Sequence, residues 1–96
     1  MVYTKNMNKK LLNRAERVLK GAANKNRIRI LGYIENENET SVWAISQQLN
    51  IDFANASQHL ARLEKAGLIN KHNLKRYVYH ELTPYGQKIL DLIESL

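Results

Sequence analysis

Apolar residues recur along this chain at two spacings, and the change from one to the other divides it. Leu11, Leu12, Ala15, Val18 and Leu19 repeat at helical intervals and predict a first helix that ends near Gly21. Residues 1–7 lack that pattern and read as a flexible arm. A second helix carries Ile28, Leu31 and Ile34 on one face, with Asn24 or Asn26 placed to cap it. The run Glu35-Asn36-Glu37-Asn38-Glu39 has no apolar anchor and reads as a polar loop. Ile45 and Leu49 define a short third helix capped by Thr40 or Ser41. Asn50 to Asp52 then form a turn, where Asp52 can accept from the free N–H groups of the next helix. That fourth helix buries Ala56, Leu60 and Leu63; Phe53 falls on the same side at 3.6 residues per turn and is expected in the core. After Ala66-Gly67 the period drops to two. Residues 68–72 and 76–82 read as antiparallel strands joined by Asn73-Leu74-Lys75. Thr83-Pro84 is a cap followed by proline at the first helical position, opening a last helix over residues 84–96.

This order describes a winged helix-turn-helix: a mainly α fold with a small β-hairpin (α+β), its helix-turn-helix over residues 41–66 and its wing over 68–82. Ninety-six residues suffice for one such domain with a thin core. The outward side of the fourth helix carries Ala54, Asn55, Gln58, Ala61 and Arg62. Small and amide side chains stand there instead of the Lys and Glu of an ordinary solvated helix, and such groups reach base edges without crowding a groove.

Charge points the same way. The net charge is +6, but residues 1–29 hold nine Lys/Arg against one Glu, and residues 65–80 hold four bases and no acid. Two basic blocks flank an acidic middle, which suits a polyanionic partner. With no cysteine, disulfides and thiolate metal sites are excluded. No apolar run approaches membrane-spanning length and no signal-peptide pattern is present, so a cytoplasmic protein is expected. His59, His72 and His80 are scattered without metal-ligand spacing, so neither metal nor cofactor is expected. No phosphate loop, paired buried carboxylates or nucleophile–base arrangement can be read, which argues against an enzyme.

Over residues 22–82 the chain resembles the ArsR-type winged-helix regulators. Ala22-Ala23-Asn24-Lys25-Asn26-Arg27-Ile28-Arg29-Ile30-Leu31 is similar to the opening of that family's second helix. The stretch Asn50 to Leu60 is similar to its turn and reading helix, Leu63-Glu64-Lys65-Ala66-Gly67-Leu68-Ile69 to the segment leading into the wing, and Tyr77 to Leu82 to the second wing strand. MarR-type proteins share part of this pattern, and Leu82-Thr83-Pro84-Tyr85-Gly86 is closer to them. Metal-sensing ArsR-type members place Cys-x-Cys where this chain has Ser41 and Trp43, and another class uses a histidine absent from this last helix. The resemblance therefore implies DNA binding without metal sensing. The wing also lacks the family's glycine, so Asn73 is expected to make the tight turn.

The expected DNA-binding residues are Ala54, Asn55, Ser57, Gln58, His59 and Arg62 on the fourth helix, and Lys71, Lys75 and Arg76 on or beside the hairpin tip. Asn55 and Gln58 can pair bidentately with adenine, Ala54 can meet a thymine methyl, and the cations suit phosphate. The resemblance implies a DNA-facing position for Phe53, against the core position its angle favours. His59 lies near the backbone by the resemblance but could equally pack on the second helix, where Arg27 and Arg29 could anchor phosphate or Arg27 pair with a Glu. Leu11, Leu12, Val18, Leu19, Ile89, Leu92, Ile93 and Leu96 exceed what a monomer core needs, and they are expected to form a homodimer interface like that of the resembling family. The expected molecule is a dimeric repressor on double-stranded DNA. The alternative is a winged helix serving as a protein-interaction module with an incidental basic surface.

Overall fold

The computed structural model describes residues 7–37 and 40–96. The expected arm, Met7 apart, and the end of the polar loop lie outside these residues. Five helices and one hairpin follow in order: α1 (Lys9–Ala22), α2 (Lys25–Asn36), α3 (Val42–Leu49), α4 (Phe53–Lys65), β1 (Ile69–Leu74), β2 (Tyr77–Leu82) and α5 (Pro84–Glu94). Helix α2 is the hub and touches every other helix as well as β2. Its Ile30, Leu31 and Ile34 bury fully against Ile45 of α3, Leu63 of α4 and Leu68-Ile69 at the foot of the hairpin.

Side-chain caps set the helix starts. Asn24 Oδ1 accepts from the N–H groups of Asn26 and Arg27 at 2.9 and 3.1 Å, so Asn24 and not Asn26 opens α2. Ser41 opens α3 by accepting from Ala44, because Thr40 is engaged elsewhere: its carbonyl accepts from the His80 N–H at 2.9 Å. Asp52 opens α4 as expected, accepting from Asn55 at 3.2 Å. Thr83 opens α5 and also donates to the Gly67 carbonyl at 2.6 Å, tying that helix to the end of α4.

Between α3 and α4 the chain reverses through Asn50, which adopts a left-handed φ of 54° that asparagine tolerates. Ile51 tucks into the core, where its carbonyl accepts from Ser46 Oγ at 2.6 Å. Helix α2 runs through Glu35 and Asn36, into the stretch expected to be loop. A helix end in solvent needs no apolar anchor, and Gln87 of α5 holds Glu35 at 2.6 Å.

The hairpin differs in its turn. Leu74 pairs with Tyr77, leaving Lys75-Arg76 as a two-residue connection, and the left-handed φ of 57° falls on Lys75. Asn73 instead sits in the ladder opposite Val78. Register is fixed at the foot, where Ile69 faces Leu82 and His80 is buried, so the tip inherits whatever residues remain. Lys75→Gly should therefore stabilise the fold by about 1 kcal/mol, the strain of a left-handed lysine, read as a higher urea midpoint.

Candidate nucleic-acid interface

Helix α4 turns Ala56, Leu60 and Leu63 into the core and leaves Ala54, Asn55, Ser57, Gln58, Ala61 and Arg62 exposed. No intrachain hydrogen bond holds the side chains of Asn55, Ser57 or Gln58 among the described residues, so their donors and acceptors are free to meet base edges. The face is apolar, small or amide over its whole length until Arg62 and Lys65 in the last turn.

Phe53 departs from expectation. It is 51% exposed, not core. Its angle matches Leu60, but it is the first residue of α4, about two turns from Leu60, and Ile51 is the residue buried at this corner of the fold. Phe53 is therefore exposed beside the outward face of α4, and Trp43 of α3 is exposed as well.

The second-helix arginines are both engaged within the chain. Arg27, only 9% exposed, donates from Nε to the Gly21 carbonyl at 2.6 Å and from a terminal nitrogen to the Lys20 carbonyl at 3.4 Å. It thereby caps the C-terminus of α1, and it pairs with no Glu among the described residues. Arg29 does the same for α3, donating to the Leu49 carbonyl at 2.7 Å. A guanidinium only donates, so His59 Nδ1, 3.3 Å from Arg27, accepts and the ring proton sits on Nε2. His59 is thus half-buried between α4 and α2.

On the wing, Lys75 and Arg76 form the exposed tip. Lys71 does not join them: it pairs with His80 in the ladder and lines a cleft of about 280 Å³ between α4 and the wing, beside Ser57 and Glu64. The opposite face stacks Tyr77 on Tyr79 and Tyr79 on His72, whose Nε2 lies 2.6 Å from Glu81. Leu74 and Tyr77 are exposed beside the tip cations. The two-residue alternation of 72, 74, 77 and 79 carried that signal once the turn was placed. Sequence reading also missed Glu35, Asp91 and Glu94, whose carboxylates gather within 4.8 Å on the surface where α2 meets α5, with Gln87 donating to Glu35 and Asp91.

Of the residues expected at a dimer interface, Leu11, Leu12, Leu19, Leu92 and Leu96 are exposed, and Ile89 and Ile93 half-buried. Val18 is the exception. It is 8% exposed because it points from α1 into the protomer's own core.

Two histidines titrate below their ordinary range. Burial lowers His59, and the neighbouring charges of Arg27 and then Arg62 lower it further. Burial is also the largest influence on His80; the bond from its Nδ1–H to the Thr40 carbonyl and the charge of Glu64 oppose it, while Lys71 and His72 reinforce it. The folded state then holds fewer protons than the unfolded chain, whose histidines titrate near 6.5. Stability is full above that value and is lost as pH falls from there through the lowered folded values. Urea midpoints should drop between pH 7.5 and pH 5.5; substituting His59 and His80 by Gln should flatten the drop.

An exposed amide-rich helix preceded by a capped turn and followed by a basic-tipped hairpin is the arrangement of a DNA-reading winged helix. Residues 24–71 match the model of the arsR family of bacterial regulatory proteins. The chain belongs to that family. The transcriptional activator HlyU of Vibrio cholerae is 35% identical over 80 residues, 82% of this chain and 73% of that one. The solved structure of HlyU from V. cholerae N16961 matches with a TM-score of 0.79 at 31% identity, over 93% of this chain and 96% of that one. A homodimeric winged helix-turn-helix DNA-binding domain from Mycobacterium bovis matches at 0.82 with 24% identity, over 99% and 88%. The transcriptional repressor PagR of Bacillus anthracis matches at 0.80 with 22% identity, over 90% and 99%. This arsR-family member is accordingly a DNA-binding transcriptional regulator, and no helix among its described residues is long and apolar enough to cross a membrane.

Proposed function

We propose that the protein binds a two-fold operator as a homodimer, each subunit laying α4 in a major groove with half-sites about 34 Å apart. The observation that carries this reading is the bare exterior of α4. Asn55, Ser57 and Gln58 read bases, Ala54 meets a thymine methyl, and Phe53 adds apolar contact at the mouth of the groove. Arg62, Lys75 and Arg76 neutralise phosphate, the last two from the wing at the backbone or minor groove. His59 acts indirectly by bracing α4 against Arg27, and Lys71 lies in the cleft beside α4. The protein works in the cytoplasm as a repressor wherever its operator overlaps a promoter, and it needs neither metal nor catalysis.

Support for the dimer comes from the leucines left exposed on α1 and α5, and from the homodimeric M. bovis domain of the same fold. Leu92→Glu should convert a dimer to a monomer in light scattering at tens of micromolar. A wild type already monomeric there would remove this part of the reading. Operator selection from a random duplex pool, followed by mobility shifts at low and moderate salt, tests the rest. A recurrent palindrome bound with a steep salt dependence is the expected result. Absence of any duplex binding would leave the protein-interaction module in its place.

A further inference from the structure

Beside the reading face lies a second concave surface, lined by Arg17 and Lys20 of α1, Arg27 of α2, and Arg62 and Lys65 of α4, with Gly21 and Ala66 as its floor. Five of its seven lining residues are cationic and none is acidic. Among the described residues its one ion-pair partner is Glu16, solvent-exposed and 3.6 Å from Lys20, and a pair of that kind holds little. Arg27 sits at the back, buried, its charge met only by the carbonyl end of α1 and an uncharged His59 nitrogen. Its nitrogens are hydrogen-bonded, yet among the described residues no carboxylate offsets its charge, so an anion entering this hollow would meet five cations together.

The basic surface does not stop at the hollow. Lys10, Arg14, Arg17 and Gly21 follow one another at intervals of four, three and four residues, so they share one side of α1. That row covers about 16 Å of helix at 1.5 Å per residue and runs into the hollow at Gly21. The side bearing Leu12 and Leu19 is a different one. At the other end the surface is continuous with the reading face, because Arg62 belongs to both: it stands one turn beyond Gln58 and lines the hollow. A compact anion would fill a hollow; a row of cations leading away from it matches a ligand with regularly repeated negative charge.

We propose that the hollow and the α1 row form a track for the phosphate backbone of duplex DNA flanking the bases read by α4. This rests on the reading of α4 as the DNA-contacting helix and extends the contact outside the operator half-site. The track carries no sequence information and adds affinity through counterion release.

The test uses Arg17→Gln with Lys65→Gln, both exposed residues outside the reading set, with circular dichroism and thermal midpoint confirming an unchanged fold. Wild type and variant are titrated from 50 to 200 mM salt on the selected operator, in a long duplex and in one trimmed to the read bases. On the long duplex, losing two phosphate contacts per subunit, four per bound dimer, should lower the slope of log K against log salt by about 4 and weaken binding at least roughly tenfold at the low-salt end. Discrimination against random duplex should be unchanged, and the two proteins should coincide on the trimmed duplex. Equal slopes on the long duplex, or an equal loss on the trimmed one, overturn the track while leaving operator binding intact. A thermal-shift series with inorganic pyrophosphate separates the sources: stabilisation of wild type alone, with unaltered DNA slopes, assigns the hollow to a free anion and also overturns the track. Failure of wild type to bind any duplex is a different result and removes the underlying reading.

Discussion

Asn55→Ala and Gln58→Ala should each weaken binding to the selected operator by on the order of 1–3 kcal/mol while leaving affinity for random duplex nearly unchanged. Both side chains are exposed on the outer face of α4 and have no intrachain hydrogen bond to lose, so truncation removes only what they do for a partner. A bidentate amide reads one adenine, so each substitution should also relax preference at one base pair per half-site. The two residues lie three apart on one helix, close enough for their effects to couple, and the double variant need not equal the sum. Lys75→Ala is the contrast. It should weaken specific and random duplexes alike and reduce the salt slope by about 1 per site, since phosphate is the same everywhere. Competitive mobility shifts on operator and random duplex read both quantities. If the amide substitutions and the lysine substitution lose equally on both duplexes, α4 is not the element that discriminates sequence.

Gly86→Ala should cost about 1–3 kcal/mol or more of stability, the range for forcing a methyl into a packed site, and should loosen the proposed dimer. A Cβ at this position would stand 2.0 Å from the Leu68 carbonyl oxygen and 3.0 Å from its carbon. Backbone cannot swing aside as a long side chain can, and that same oxygen accepts from the Thr83 N–H at 3.1 Å. Relief therefore requires α5 to lift from the foot of the wing, which displaces the surface bearing Leu92 and Leu96. A lower urea midpoint together with a raised dimer dissociation constant is the expected pair of results. An unchanged midpoint would mean that α5 is not seated this closely on Leu68.

The order of elements and most of the caps were legible because both are local. Asn24, Ser41, Asp52 and Thr83 each act within three residues of the N–H they satisfy, and the apolar period needs only a window of a turn or two. The outward face of α4 was readable for the same reason, since the buried Leu60 and Leu63 fix which side is left. Phe53 was misjudged because angle says which way a residue points but not whether a neighbour reaches that far along the axis. Val18 was misplaced for a related reason, since its face of α1 is taken up by the protomer's own core, and Lys71 stands away from the tip because its place is set by a cross-strand pair.

What the chain alone determined was the winged helix-turn-helix itself, the under-charged face of α4 and the basic bias on both sides of it, all consequences of short-range periodicity and composition. Tertiary structure alone decided three things. Arg27 and Arg29 cap α1 and α3 instead of reaching outward, because packing brings the C-terminal ends of both helices beside the start of α2. The wing turn falls on Lys75, because register is set at the buried foot. Arg17, Lys20, Arg27, Arg62 and Lys65 line one hollow, because three helix termini converge there. Each depends on which elements become neighbours, and that is settled by how the whole core packs.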